Sequence, residues 1–147
     1  MRDIQRSALV PYTAEQMFAL VADFETYPQF VPWVASTSIL ERGPNLVVGR
    51  LEMQRSGLRE QFTTRTALLP PNAITLSLID GPFRTFEGRW GFQPLGGRGS
   101  QVSLHVQFEL KNPMVGLLLA RTLEKSCSEL VDAFVARARA LYGSAAS

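Results

Sequence analysis

Few residues in this chain could carry bond-making chemistry. Its 147 residues contain one histidine, His105, and one cysteine, Cys127. His105 falls on the polar side of an alternating run, with Gln101, Ser103, Gln107 and Glu109, so it is expected to meet water. The spacing needed to chelate a metal is missing, and a lone Cys127 cannot supply it. No serine has a plausible histidine partner, and no glycine cluster has the spacing of a phosphate loop. Glu60 is the one carboxylate that alternation aims inward, beside Leu58 and Phe62. It lies three residues after Gly57, where a bulge could flip the register. It reads as a rim carboxylate, with a general base as the weaker alternative. Asp80 and Arg84 flank Gly81-Pro82-Phe83 and read as braces of that loop. These residue types suit binding better than catalysis.

Large apolar residues stand where a catalytic set would be. Alternation turns Met53, Phe62, Phe86, Trp90, Phe92 and Phe108 toward one side of the strands. Tyr27, Phe30 and Trp33 crowd a segment broken by Pro28 and Pro32, while Phe83 sits in a turn and Phe18 on a short helix. For any one of them a filled core is the plainer explanation. Taken together with Leu117 and Leu118, they predict a concave, aromatic-rimmed space near the start of the last helix, the usual form of a small-molecule site. The expected occupant is a hydrophobic ligand, with no metal and no catalytic cofactor. Arg50, Arg59, Arg65 and Arg89 share the opposite side of the sheet, where they could meet a nucleic-acid backbone. Glu52, Glu87 and Glu109 share that side too, which favours an ordinary solvated surface.

The elements that must position these residues are legible. Asn112 to Tyr142 reads as one long helix, with Asn112 as N-cap, Pro113 at the first position and Gly143 as the stop. Leu119, Ala120, Leu123, Cys127, Leu130, Val131, Phe134, Ala138 and Leu141 fall on one face, opposite Arg121, Lys125, Ser128, Asp132 and Arg139. Ahead of it come a strand over about Ile4–Val10 and a short helix opened by Thr13 and Gln16 at capping-box spacing. One or two helical turns follow, then six strands joined by turns. The expected fold is α+β: a curved seven-stranded antiparallel sheet around the C-terminal helix, one domain over residues 1–143, with 144–147 frayed.

Leu118 is expected to project toward Arg121 and Lys125. There it either meets a membrane surface transiently, with the cations on anionic headgroups, or packs under the loop at Pro82. Composition is otherwise ordinary, with 46% hydrophobic residues, 19% charged residues and a net charge of +2. Such a mild basic balance permits contact with a polyanion without arguing for it. One cysteine rules out an internal disulfide and fits a reducing compartment. With no membrane-length apolar run and no signal-peptide pattern at the start, a cytoplasmic location is expected, with a peripheral membrane contact as an option.

Three stretches bring a resemblance. They are Arg6-Ser7-Ala8-Leu9-Val10-Pro11-Tyr12-Thr13-Ala14-Glu15-Gln16-Met17, then Tyr27-Pro28-Gln29-Phe30-Val31-Pro32-Trp33, then Leu78-Ile79-Asp80-Gly81-Pro82-Phe83-Arg84 with Gly88-Arg89-Trp90-Gly91-Phe92. Phe62-Thr63-Thr64-Arg65 is a fourth, weaker match. With them the chain resembles the coenzyme Q-binding START-domain family and its bacterial ribosome-association toxin branch, within the helix-grip, polyketide cyclase-like superfamily. The resemblance implies the helix-grip fold and two functions. One is non-catalytic binding of ubiquinone or a similar prenylquinone in support of respiration. The other is association with the large ribosomal subunit, blocking subunit joining. A cyclase-type enzyme using Glu60 is a third. No family catalytic set is established, so none is transferred, and the oligomeric state is left open.

Overall fold

The computed structural model describes residues 2–55, 57–96, 99–112 and 116–143. Seven strands form one sheet: β1 (Arg2–Val10), β2 (Val34–Gly43), β3 (Leu46–Arg55), β4 (Leu58–Leu69), β5 (Ala73–Asp80), β6 (Phe83–Pro94) and β7 (Ser100–Leu110). Their order is β1-β7-β6-β5-β4-β3-β2, with every neighbouring pair antiparallel. Helix α1 (Ala14–Ala22) and a 3-10 turn (Phe24–Gln29) separate β1 from β2, and α2 (Leu117–Tyr142) closes the chain. The helix-grip expectation holds.

Local chemistry explains the elements. Thr13 Oγ1 accepts from Gln16 N at 3.0 Å while Gln16 Oε1 accepts from Thr13 N at 2.9 Å, so the capping box opens α1. On β7, Val102, Leu104, Val106, Phe108 and Leu110 are buried on one side, as period-two alternation requires. Gly143 ends α2 at φ 76°, with its N–H on Arg139 O at 2.9 Å. Tyr12 ties that end down by donating to Gly143 O at 2.7 Å.

The start of α2 differs from the expected one. Gly116, not Asn112, is its N-cap, and the Asn112 carbonyl accepts from Gly116 N at 2.9 Å. Pro113, expected in the first turn, lies outside the described residues, as do Met114, Val115 and the tail expected to fray. The helix is 26 residues long, about 39 Å at 1.5 Å per residue. Its buried face carries Leu119, Ala120, Leu123, Val131, Phe134 and Ala138. Leu141, assigned to the same stripe, is 53% exposed.

Helix α2 lies over β1 and β7 and touches α1, which in turn sits over β5, β6 and β7, while the 3-10 turn rests on β2. Two ion pairs join β1 to α2: Arg2 meets Glu124 at 2.9 Å and Arg6 meets Asp132 at 3.5 Å. The strands that α2 contacts most are β1 and β7, away from β3 to β5. That is where space remains.

Candidate ligand cavity

The space is a cavity of about 150 Å³. Val21 and Ala22 at the end of α1, with Phe24 and Tyr27 in the 3-10 turn, form its roof. Strand β3 contributes Val47 and Leu51, and β4 contributes Phe62, Thr64 and Thr66. Ile74, Leu76 and Leu78 come from β5, and Phe83, Phe86 and Trp90 from β6. Leu130, midway along α2, is the single contribution of that helix. The opening expected near the start of α2 is therefore displaced toward the helix centre.

Gly88 shapes the wall beside the void. It lies on the inward side of β6 between Phe86 and Trp90, opposite Leu76. A Cβ there would stand 3.1 Å from Leu76 Cδ1, so the leucine occupies the room the missing side chain leaves. Gly49 does the same for the roof. Its absent Cβ would lie 2.5 Å from Phe24 Cε2, so any larger residue would lift Phe24 off the sheet.

The roof is fastened to α2 by rings and arginines. Phe134, fully buried, meets Tyr27 at 5.2 Å, Phe30 at 5.1 Å and Trp90 at 5.2 Å, all edge to face. The Arg137 guanidinium lies 5.1 Å from the Phe30 ring centroid, and its Nη2 donates to Gln29 Oε1 at 3.2 Å. Arg55, at the end of β3, lies 5.0 Å from the Trp33 ring and meets Glu129 at 3.0 Å and Ser126 Oγ at 3.1 Å. Alternation on β3 marks neither its contact with α2 nor that with Trp33, so sequence reasoning missed this clasp.

Of the residues assigned to a ligand site from the sequence, Tyr27, Phe62, Phe83, Phe86 and Trp90 line the cavity. Met53, Phe92 and Phe108 are buried core. Phe92 stacks on Trp90 at 6.3 Å, and Phe108 backs Phe83 at 5.6 Å. Phe18 packs on Phe92, Phe30 sits under Arg137, and Trp33 borders an outer groove with Pro32 and Glu129. Leu117 and Leu118 are 47% and 58% exposed and do not line the cavity. Leu118 therefore does not pack as core under the Pro82 loop. The alternation of β4 already set Thr64 and Thr66 opposite the polar residues Arg65 and Thr63, though neither was singled out.

The titratable groups offer little chemistry. Burial pushes the Tyr27 phenol well above its ordinary range, with Asp23 adding to the effect, and its O–H donates to Val21 O. Burial, with Glu124 nearby, pushes the Cys127 thiol up to about 12, so it stays protonated and unreactive near neutrality. Glu60 is half-buried opposite Met53 and is not part of the cavity wall. His105 lies on the outer face, with Nε2 2.9 Å from Asp3 Oδ1. Arg84 approaches Glu109 at 4.0 Å. Among the described residues, no group of three or more His, Cys, Asp or Glu could hold a metal ion.

An apolar cavity between a curved sheet, a long helix and an aromatic roof invites comparison with known proteins. Residues 10–135 match the polyketide cyclase / dehydrase and lipid transport family. The chain belongs to that family. Within it, the chain is similar to proteins named ribosome association toxins and, at lower identity, to a coenzyme Q-binding protein. It is 37% identical over 142 residues to the ribosome association toxin RatA of Escherichia coli strain K12, covering 97% of this chain and 90% of the other. Identity to the mitochondrial coenzyme Q-binding protein COQ10 homolog B of Xenopus laevis is 27% over 145 residues, covering 96% of this chain and 59% of that one. The Zhui aromatase/cyclase from Streptomyces superposes with a TM-score of 0.83 over 95% of both chains at 21% identity, a likeness of fold.

Proposed function

We propose that the protein is a non-catalytic binder of a hydrophobic, ring-bearing ligand of the prenylquinone type. The apolar cavity carries this reading. Its wall is aliphatic and aromatic apart from two threonines and the polar atoms of Tyr27 and Trp90. It contains no carboxylate, histidine or cysteine that could move a proton. A volume of about 150 Å³ matches space known to take up one benzene-sized ring. A long prenyl tail would extend beyond it. The family relationship to a coenzyme Q-binding protein supports the same ligand class. Extracting the purified protein with organic solvent and weighing the extract by mass spectrometry tests the proposal. A prenylquinone near one per chain is expected; an extract no richer in quinone than that of an unrelated protein of equal purity contradicts it.

A transient membrane contact fits such a carrier. Leu117 and Leu118 are the exposed leucines at the start of α2, with Arg121 and Lys125 exposed along the first turns. Apolar insertion beside cations is the pattern of reversible binding to anionic bilayers. Leu118→Glu should slow quinone transfer between anionic vesicles several-fold while shifting the unfolding midpoint by less than about 0.5 kcal/mol equivalent, as for other surface substitutions. Transfer at the wild-type rate would remove this surface from the account. Among the described residues, no helix is long and apolar enough to cross a membrane.

Association with the ribosome is the second reading, favoured by 37% identity to a ribosome association toxin over nearly the whole chain. It would need another surface, and the outer side of the sheet offers one. Arg59 is engaged by Glu52 at 3.5 Å, whereas Arg50, Arg65 and Arg89 have no ion-pair partner among the described residues. They step diagonally across the sheet: Arg50 opposite Thr63, Arg65 two residues on, and Arg89 opposite Thr75. Replacing all three by glutamine should weaken co-sedimentation with large subunits at least tenfold. It should also flatten the dependence of log affinity on log salt by roughly two to three units. Unchanged affinity and slope would exclude this face.

A further inference from the structure

The wall of the cavity holds three polar groups with no hydrogen-bond partner among the described residues. Thr64 and Thr66 follow each other on the inward side of β4, about 7 Å apart along the strand at 3.4 Å per residue. Trp90 is only 2% exposed, yet its indole N–H has no hydrogen-bond partner among the described residues, and neither has either threonine hydroxyl. The remaining polar side chain, Tyr27, is already committed to Val21 O. No side-chain nitrogen or oxygen sealed inside the described core lacks a partner. The Trp90 N–H therefore borders open space, and the cavity is the space that Trp90 lines.

Register sets the three on one wall. Thr64 faces Leu78 and Thr66 faces Leu76 across β4 and β5. Leu76 faces Gly88, and Ile74 faces Trp90, across β5 and β6. Thr66 and Trp90 thus stand in adjacent inward rows of one concave wall, two strands apart, with Thr64 one row further from Trp90. An indole N–H can only donate, whereas a threonine hydroxyl donates or accepts. A ligand oxygen entering this apolar space would give these groups a partner that the wall itself does not supply.

We infer that Thr64, Thr66 and the Trp90 N–H select the ligand by its ring oxygens, making the cavity specific for an oxygenated ring such as a quinone over a hydrocarbon ring of similar size. The inference rests on the hydrophobic-ligand proposal and adds which atoms of the ligand are recognised. It assigns the threonines, absent from any apolar-core pattern, as specificity-determining residues.

The test is calorimetric titration of the full-length protein with two probes, 2,3-dimethoxy-5-methyl-1,4-benzoquinone and naphthalene. Thr64→Val and Thr66→Val preserve shape and β-branching while removing the hydroxyls. Each should weaken quinone binding roughly three- to tenfold, and the pair more, while naphthalene binds as well as before or better. Trp90→Phe should also weaken the quinone more than the hydrocarbon. A double threonine variant that binds quinone with wild-type affinity overturns the inference and leaves the cavity as a ligand site. Equal weakening of both probes overturns it as well, since that outcome reports lost packing. If wild-type protein binds neither probe, the ligand proposal itself fails, and this inference with it.

Discussion

Phe134→Ala should cost about 3–5 kcal/mol of stability, the range for removing a fully buried phenylalanine from a packed core. For a domain whose whole margin is about 5–15 kcal/mol, that is a large fraction. The site explains why the upper part of the range is expected. Phe134 is fully buried and holds three rings at once, Tyr27 and Phe30 from the roof and Trp90 from the sheet. Its loss opens a void against Tyr27 and Trp90, two residues of the cavity wall, so collapse cannot refill it cheaply. Urea unfolding measures the effect as a lowered midpoint. Phe134→Leu, which retains most of the volume, should cost clearly less. Arg55→Ala provides a contrast at the outer clasp, where a cation–π contact and a partly exposed ion pair should together contribute about 1–2 kcal/mol. A Phe134→Ala loss below that of Arg55→Ala would contradict the placement of Phe134 at the centre of the roof contacts.

The second large effect is on binding. Leu76 lies on the cavity wall, with its Cδ1 in the gap left by Gly88. Leu76→Trp adds a ring to a space that holds about one ring, so it should fill the cavity from inside. Quinone affinity should fall at least thirtyfold, measured by equilibrium dialysis. Overpacking a tight core usually costs about 1–3 kcal/mol; filling a pre-existing void should keep the cost at the lower end. Loss of binding with retained stability is the signature. Full quinone affinity in a folded Leu76→Trp protein would place the ligand elsewhere.

Much of this architecture could be seen in the residue pattern, for physical reasons. Burial on one side of an antiparallel sheet forces period-two alternation, so Val102 to Leu110 announced β7, and Phe86, Trp90 and Phe92 announced the inward side of β6. The capping box at Thr13 marked α1 because its two hydrogen bonds need those side chains at that spacing. The start of α2 was misplaced because an N-cap signal at Asn112 and an isolated Gly116 look alike until tertiary contacts choose between them. Gly116 sits where a Cβ would lie 2.6 Å from Leu110 Cδ1, a constraint that only packing reveals. The position of the cavity was likewise hidden. It depends on which half of the sheet the helices cover and on the close approach of Phe24 and Leu76 that Gly49 and Gly88 allow, and alternation records neither. Leu117 and Leu118 looked like cavity residues because they are apolar; their exposure is set by where the helix begins.

The family placement and the cavity together make hydrophobic-ligand binding the central claim, and Trp90 gives it an internal reporter. Trp33 is the other tryptophan and sits outside the cavity beside Arg55. In the Trp33→Phe protein, fluorescence therefore reports Trp90 alone. Titration with a short-chain ubiquinone should quench that emission saturably. Emission that stays unchanged up to the solubility limit of the quinone would contradict the account.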